Sequence, residues 1–277
     1  MQEEGAGIIM RFLIMTDIEG VTGITTYPQA ENSQLGRDML MHDLLAVIEG
    51  IRAEEHHEIV VYDMHTDGRN VDMTKLPEDI NVVMGKPING KVYRGGCGPF
   101  DGLFMVGLHA MSREPGAMLA HSYLREYDAI HINEELVGEI GVERALAGEQ
   151  GTPLVFVSGD DKGCEEAKAL DPAIVTAVVK NSLDDAQAVC MPPAKTREIL
   201  KAAATEAAAK AKDIAAKATQ MPVTIKITYS ECRYLEIMKQ LYPDVFVDKR
   251  TVEMKGDNLL QCWSEYLAME RDMVTYE

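Results

Sequence analysis

Cysteine is sparse and unpaired in this sequence: Cys97, Cys164, Cys190, Cys232 and Cys262 are five in number and never form a C-x-x-C pair. That spacing suits free thiols in a reducing, cytoplasmic compartment better than a disulfide framework or a thiolate zinc site. Basic residues are outnumbered 27 to 45, which leaves a formal net charge of -18 and an isoelectric point near 4.8. Phosphate backbones and anionic headgroups demand cationic patches, so no nucleic acid and no membrane surface is expected as a partner. Apolar runs are short, and none approaches the roughly 20 residues of a membrane span. Met1 to Gly7 is acidic, with neither a basic n-region nor a cleavage site, so secretion is not expected. Residues 1–10 read as a flexible extension, with Met10 as an alternative start.

What the chain does have is an ordinary apolar content, 46% of 277 residues, enough for one large domain or two unequal ones. The pattern alternates. A buried strand over Arg11 to Met15 precedes a helix over Leu35 to Ala53, whose Leu40, Leu44, Val47, Ile48 and Ile51 recur at helical spacing. A second strand follows over Glu58 to Asp63, making a β-α-β unit with parallel strands and a right-handed crossover. Further strand-like runs, Ile80 to Met84, Leu103 to Gly107, Ala129 to Ile132, Pro153 to Val157 and Ile174 to Val179, are interleaved with helices over Val137 to Ala147 and Gly163 to Leu170. The fold class is therefore α/β, a layered, mostly parallel sheet flanked by helices over 11–193. After Met191-Pro192-Pro193 the spacing predicts a long alanine-rich helix, Ala194 to Thr219, which opens a smaller C-terminal α+β domain over 194–277.

In an open α/β sheet, ligands bind beyond the carboxyl ends of the strands. The first strand ends in Thr16-Asp17-Ile18-Glu19-Gly20, the second in Asp63-Met64-His65, and the strand Leu103 to Gly107 in Leu108-His109. The loop after Ala129 to Ile132 leads to Glu139. Alone, Asp17 and Glu19 are equally well read as turn or helix-capping acids, and a single histidine after a strand as a hydrogen-bonded loop residue. Coincidence at several ends points to a cation site, because a desolvated acid must be paired or must bind a metal. Mixed carboxylate and imidazole ligation suits zinc or another borderline divalent ion better than calcium. One ion would leave a surplus among Asp17, Glu19, His65, His109 and Glu139, whereas two sharing a bridging carboxylate would use them all. Such a pair activates a water and polarises a carbonyl together, which is hydrolytic chemistry. His121, in a loop twelve residues beyond His109, is read as a proton shuttle beside that site and as a surface histidine without it. His42 reads as a helix-surface residue, His56-His57 as a polar loop and His131 as a strand residue in core or outer-shell packing, with ligation left open. Cys97, in a glycine-rich turn with no paired base, is discounted as a nucleophile.

These motifs, in this order, resemble the M55 metallopeptidases, the D-aminopeptidase family. Met15-Thr16-Asp17-Ile18-Glu19-Gly20 matches its opening Ser-x-Asp-x-Glu-Gly except at the serine. Asp63-Met64-His65, Gly107-Leu108-His109-Ala110, Pro115-Gly116 before His121-Ser122, Ile132-Asn133 and Val137-Gly138-Glu139-Ile140-Gly141 follow in order. Val157-Ser158-Gly159-Asp160-Asp161 and Pro193-Ala194-Lys195 extend the similarity, which is weakest over the final domain. The resemblance implies a di-zinc centre held by Asp17, Glu19, His65, His109 and Glu139, with Asp17 bridging and His121 as the catalytic histidine. It also implies removal of N-terminal D-residues from short peptides, and a large cytoplasmic homo-oligomer of cyclic construction, a decamer. A slightly longer loop before His121 leaves substrate preference open. Two other readings compete: a haloacid dehalogenase-like, Mg-dependent phosphatase with Asp17 as nucleophile and Asp160-Asp161 as its later acidic motif, and a non-catalytic, metal-stabilised assembly protein joined through the alanine-rich helix.

Overall fold

The computed structural model describes residues 8–85 and 98–276. The larger layer is a seven-stranded sheet in the order β3-β2-β1-β4-β7-β8-β9. Its strands are β1 (Arg11–Thr16), β2 (Glu58–Asp63), β3 (Asn81–Val83), β4 (Gly102–Leu108), β7 (Leu154–Asp160), β8 (Val175–Ser182) and β9 (Ala188–Cys190), with only β9 antiparallel to its neighbour. β1 alternates Phe12 and Ile14 on one face with Leu13 and Met15 on the other, and all four are fully buried. A strand apolar on both faces needs cover on both, and the rest of the chain supplies it.

On the face of Phe12 and Ile14 lie α2 (Gln34–Ile51), preceded by the short α1 (Tyr27–Asn32), and α5 (Pro193–Lys210). α2 starts where Ser33 accepts the Gly36 N–H, and it buries Leu40, Leu44, Val47, Ile48 and Ile51. α5 packs along α2 and onto β7 and β8, with Leu200, Ala204, Ala207 and Ala208 inward. Its small residues permit a close approach: a Cβ at Gly50 of α2 would sit 2.4 Å from the Lys201 carbonyl oxygen.

The opposite face is covered by α3 (Glu139–Glu149), α4 (Asp161–Leu170), and a four-stranded antiparallel sheet in the order β11-β10-β5-β6. This sheet joins β5 (Tyr127–Ile132) and β6 (Glu135–Val137) to β10 (Val223–Tyr229) and β11 (Thr251–Gly256), and carries α6 (Arg233–Leu241) and α7 (Leu259–Val274). The β5–β6 hairpin turns through Asn133 and Glu134, both at positive φ (49° and 67°), the geometry that suits a two-residue hairpin.

Several expectations change. The alanine-rich helix stops at Lys210 and a 3₁₀ turn over Ala211–Asp213 follows, so it does not reach Thr219. On either side of 193/194, α5 packs on the larger layer and β5 pairs with β10 in the smaller sheet. Of the expected 1–10 extension, Met10 is buried and its N–H donates to His57 Nδ1 at 3.2 Å, while residues 1–7 lie outside the described residues. Cys97 also lies outside them. The other four cysteines are free thiols. No helix among the described residues is long and apolar enough to cross a membrane.

Candidate metal centre

The chain leaves β1 toward β2 and β3 on one side of the sheet, while β4 and β7 lie on the other, so the strand order reverses between β1 and β4. Crevices at such switch points, beyond the strands' carboxyl ends, are where open α/β sheets bind ligands. Asp17 and Glu19 follow β1, His65 follows β2, His109 follows β4, and Glu139 opens α3. All five are buried, with exposures of 2% to 6%.

The side chains converge. His65 Nδ1 is 2.8 Å from Asp17 Oδ1 and 3.1 Å from Glu19 Oε2. His109 Nε2 stands 3.4 Å from both Asp17 Oδ2 and Glu139 Oε1. The His109 Nδ1–H is committed to the Ala110 carbonyl at 2.9 Å, which leaves Nε2 to face the carboxylates. His121 stacks on His109, ring centroids 4.0 Å apart and 6° from parallel, with Nε2 3.9 Å from Glu139 Oε1. The His121 Nδ1–H donates to the Leu119 carbonyl at 2.9 Å, and the positive φ of Leu119 and Tyr123 (53° and 62°) shapes the loop that presents it.

Burial, then the charge of Glu19, pushes the Asp17 carboxyl up to about 6. Burial also opposes ionisation of Glu19, but the His65 hydrogen bond and the imidazolium charges outweigh it and hold Glu19 below the usual carboxylate range. Burial likewise opposes charge on His65 and His109. Hydrogen bonds to Asp17 and Glu19 nevertheless raise His65 to about 11, and the bond to Glu139 raises His109 to about 10. Glu139, desolvated but hydrogen-bonded by His109, sits near 2. His121 differs: burial, then the adjacent positive His109, holds it below the ordinary histidine value.

This set fits a metal. Asp17 Oδ2 and His65 Nε2 are buried with no hydrogen-bond partner, and Glu19 Oε2 and His109 Nε2 have only contacts of 3.1 and 3.4 Å within the cluster, an expensive arrangement unless a cation completes it. Ligand atoms of Asp17, Glu19 and His109, and separately of His109, His121 and Glu139, lie within 4.8 Å of one another. Tetrahedral zinc with bonds of about 2.0–2.1 Å places neighbouring ligand atoms roughly 3.3 Å apart. The separations at His109 match that spacing. His65 belongs to neither group but contacts both acids of the first.

Beside the cluster opens a cavity of about 510 Å³, walled by Tyr27, Met64, Tyr123 and Arg125 on one side and by Leu267 and Glu270 of α7 on the other. A chain of buried hydroxyls, Tyr229 to Tyr266 to Tyr127, ends on Glu270 Oε2, where Tyr127 donates at 2.6 Å, and pins α7 to the small sheet.

The structure brings all six expected residues to this one place. His131 is not among them: it lies mid-β5 opposite Lys226, near Glu134. His42 is hydrogen-bonded to Asp43 at 2.8 Å, and His57 lies in the loop before β2, where it is buried and accepts the Met10 N–H. Sequence reasoning missed Tyr123, whose N–H donates to Glu139 Oε1 at 2.7 Å, and Glu166, which accepts the Met111 N–H at 2.8 Å. It missed Lys180 as well, although a lysine within the apolar run of β8 was a visible signal. Asp160 caps α4 by accepting the Gly163 N–H at 2.9 Å, which accounts for the motif that favoured a phosphatase, and two imidazoles crowd the carboxylate of Asp17. The small-residue face of α5 is spent inside the fold, against α2, and is not available as the assembly surface.

A buried carboxylate–imidazole cluster at the switch point of a parallel sheet, opening on a substrate-sized cavity, defines a metal-dependent hydrolase. The chain belongs to the M55 D-aminopeptidase family: the family model, described as D-aminopeptidase, matches residues 10–267. A D-aminopeptidase of Bacillus subtilis (strain 168) is 28% identical over 195 residues, 69% of this chain and 71% of that protein. A solved structure, the Zn-dependent D-aminopeptidase DppA from Bacillus subtilis, described as a self-compartmentalizing protease, shares the fold with a TM-score of 0.86 at 22% identity, covering 97% of this chain and 99% of that one.

Proposed function

We propose that this chain is a zinc-dependent aminopeptidase that removes N-terminal D-residues from short peptides. Two ions would be held by Asp17, Glu19, His65, His109 and Glu139, with His121 as the catalytic histidine. The observation that carries the reading is the convergence of buried ligand atoms from Asp17, Glu19 and His109 beside the cavity. Zinc supplies a Lewis acid for the scissile carbonyl and makes water a nucleophile at neutral pH.

The chain's own groups do the rest. His121, held neutral and with Nδ1–H spent on Leu119, turns a free Nε2 toward the cluster, so it accepts a proton from the nucleophile and passes it to the leaving amine. The Tyr123 N–H orients Glu139 Oε1. A cavity of about 510 Å³ holds a short peptide and little more, which matches the substrate length proposed. The Bacillus subtilis relatives are a D-aminopeptidase and a Zn-dependent, self-compartmentalizing D-aminopeptidase, and these properties motivate the same assignments here. We extend them to a large homo-oligomer, a decamer, and place it in the cytoplasm, where the exposed thiol of Cys190 stays reduced.

The test is turnover of matched L- and D-configured dipeptides and amino acid amides by zinc-loaded protein, beside His121→Ala. Hydrolysis confined to N-terminal D-residues is expected, and His121→Ala should retain zinc while losing roughly 10²- to 10⁴-fold in rate. Turnover of L-peptides alone would refute the stereochemical assignment, and loss of zinc from His121→Ala would make that residue a ligand.

A further inference from the structure

Lys180 is the one fully buried lysine among the described residues, mid-β8 at 0% exposure. Burying an ammonium costs several kcal/mol unless its hydrogen bonds are replaced. Here they are replaced one for one. The group has three donors and no acceptor, and Nζ donates to the carbonyl oxygens of Glu19, Ile24 and, at 3.3 Å, Val21. All three belong to the loop that carries Asp17 and Glu19.

The amides of that loop are tied elsewhere. Asp17 N–H donates to the Val106 carbonyl at 2.8 Å, Gly20 N–H to the Gly107 carbonyl at 2.8 Å, and Thr22 N–H to Asp43 Oδ2 at 2.8 Å. The loop is thus held through its N–H groups by β4 and α2, and through its carbonyls by a single ammonium. Without that ammonium, the buried carbonyl oxygens of Glu19 and Ile24 would lose their donor and that of Val21 would keep only the Ile24 N–H at 3.4 Å, so the loop would open to reach water. Negative groups surround it: Asp160, its register partner on β7, Asp43 on α2 and Glu19 itself. Lys180 touches Glu19 only through its main chain, not through its carboxylate.

We infer that Lys180 is a positioning residue whose side chain delivers a cation into a three-carbonyl cradle, and so sets where the Asp17 and Glu19 carboxylates stand to receive metal. The inference rests on the proposal that these carboxylates bind zinc, and its readout is zinc affinity, not turnover. Removing the amine leaves a cradle suited to a small monovalent cation, so the defect should be repaired by one from solution.

Zinc affinity would be measured by chelator competition for the wild type, for Lys180→Met, which keeps the stem and loses the donors, and for Lys180→Ala, which leaves space. Amide hydrogen exchange over residues 17–24 would be followed in the same metal-free proteins. Lys180→Met should bind zinc roughly 10- to 100-fold more weakly, the usual effect of losing a group that orients ligands, with faster exchange confined to the loop. In Lys180→Ala, ammonium or potassium should restore affinity and protection saturably, tetramethylammonium should not, and the wild type should respond to none of them. A folded Lys180→Met that binds zinc within about twofold of wild type would overturn the inference. If Lys180→Met does not fold, Lys180→Ala decides: recovery of thermal stability without recovery of zinc affinity would show a purely structural lysine, and no recovery with either cation would dispose of the cradle. Failure of the wild type to bind zinc would instead refute the metal reading.

Discussion

His65 and His109 are protonated in the metal-free site because carboxylates surround them, and a ligating imidazole must be neutral. With His65 raised to about 11 and His109 to about 10, both hold their protons throughout the neutral range. Zinc must displace those protons, so its apparent affinity rises with pH until they would leave unaided, at about 10 for His109 and about 11 for His65. Asp17, raised to about 6, adds a further proton to displace in acid, which steepens the fall in affinity below that value. Calorimetric titration in buffers of different ionisation enthalpy should report about two protons released at pH 7. A pH-independent affinity with no buffer contribution would contradict the site as described. At this scale the sequence was informative where chemistry recurs by position: Asp17, Glu19, His65, His109 and Glu139 each follow or lead an element that periodicity reveals. Tyr123 was illegible, because its contribution is a backbone N–H that any residue type could offer.

The element that everything crowds against is the end of β4. A Cβ at Gly20 would fall 1.8 Å from the Leu108 carbonyl oxygen, and one at Gly159 would do the same from the far side. The loop after β1 and the end of strand β7 thus clamp the residue before His109, and only glycine admits the approach. Gly20→Ala should destabilise the fold by more than about 3 kcal/mol, since the obstacle is backbone and cannot rotate away. Gly23, at φ +75° with open space around its Cβ position, provides the contrast, and Gly23→Ala should cost about 1–2 kcal/mol from strain alone. Chemical denaturation of the two variants checks the difference, and equal losses would show that steric closure at β4 is not what matters. Helix and strand positions were largely readable because apolar periodicity survives in single segments. β5 is legible as the run Ala129 to Ile132, but β6 is not, because three residues are too short to display a period.

For the whole molecule, the proposed assembly is the property with the largest measurable consequence. The exposed Leu183 and Val189 sit at the β8–β9 edge of the large sheet, the kind of edge that proteins cover by association. Sedimentation velocity should give one species near ten subunits, and a stable 30.6 kDa monomer at micromolar concentration would refute it. The same scale explains how the chain on either side of 193/194 is used. Composition changes there, but α5 is recruited back to the first layer by the shape of its small-residue face.

The sequence alone determined the alternation of helices and strands, the parallel order that follows from β-α-β units, and the residue types gathered at strand ends. These are local consequences of periodicity and of the rule that strand ends face the ligand. Only the tertiary structure decided that the six residues form one cluster, five of them lining one cavity, that α7 forms its far wall, that the C-terminal strands complete a sheet begun by β5, and that Lys180 reaches the carbonyls behind Glu19. Such contacts join positions separated by up to 161 residues. They depend on how layers close over one another, and no periodicity within a single segment encodes that.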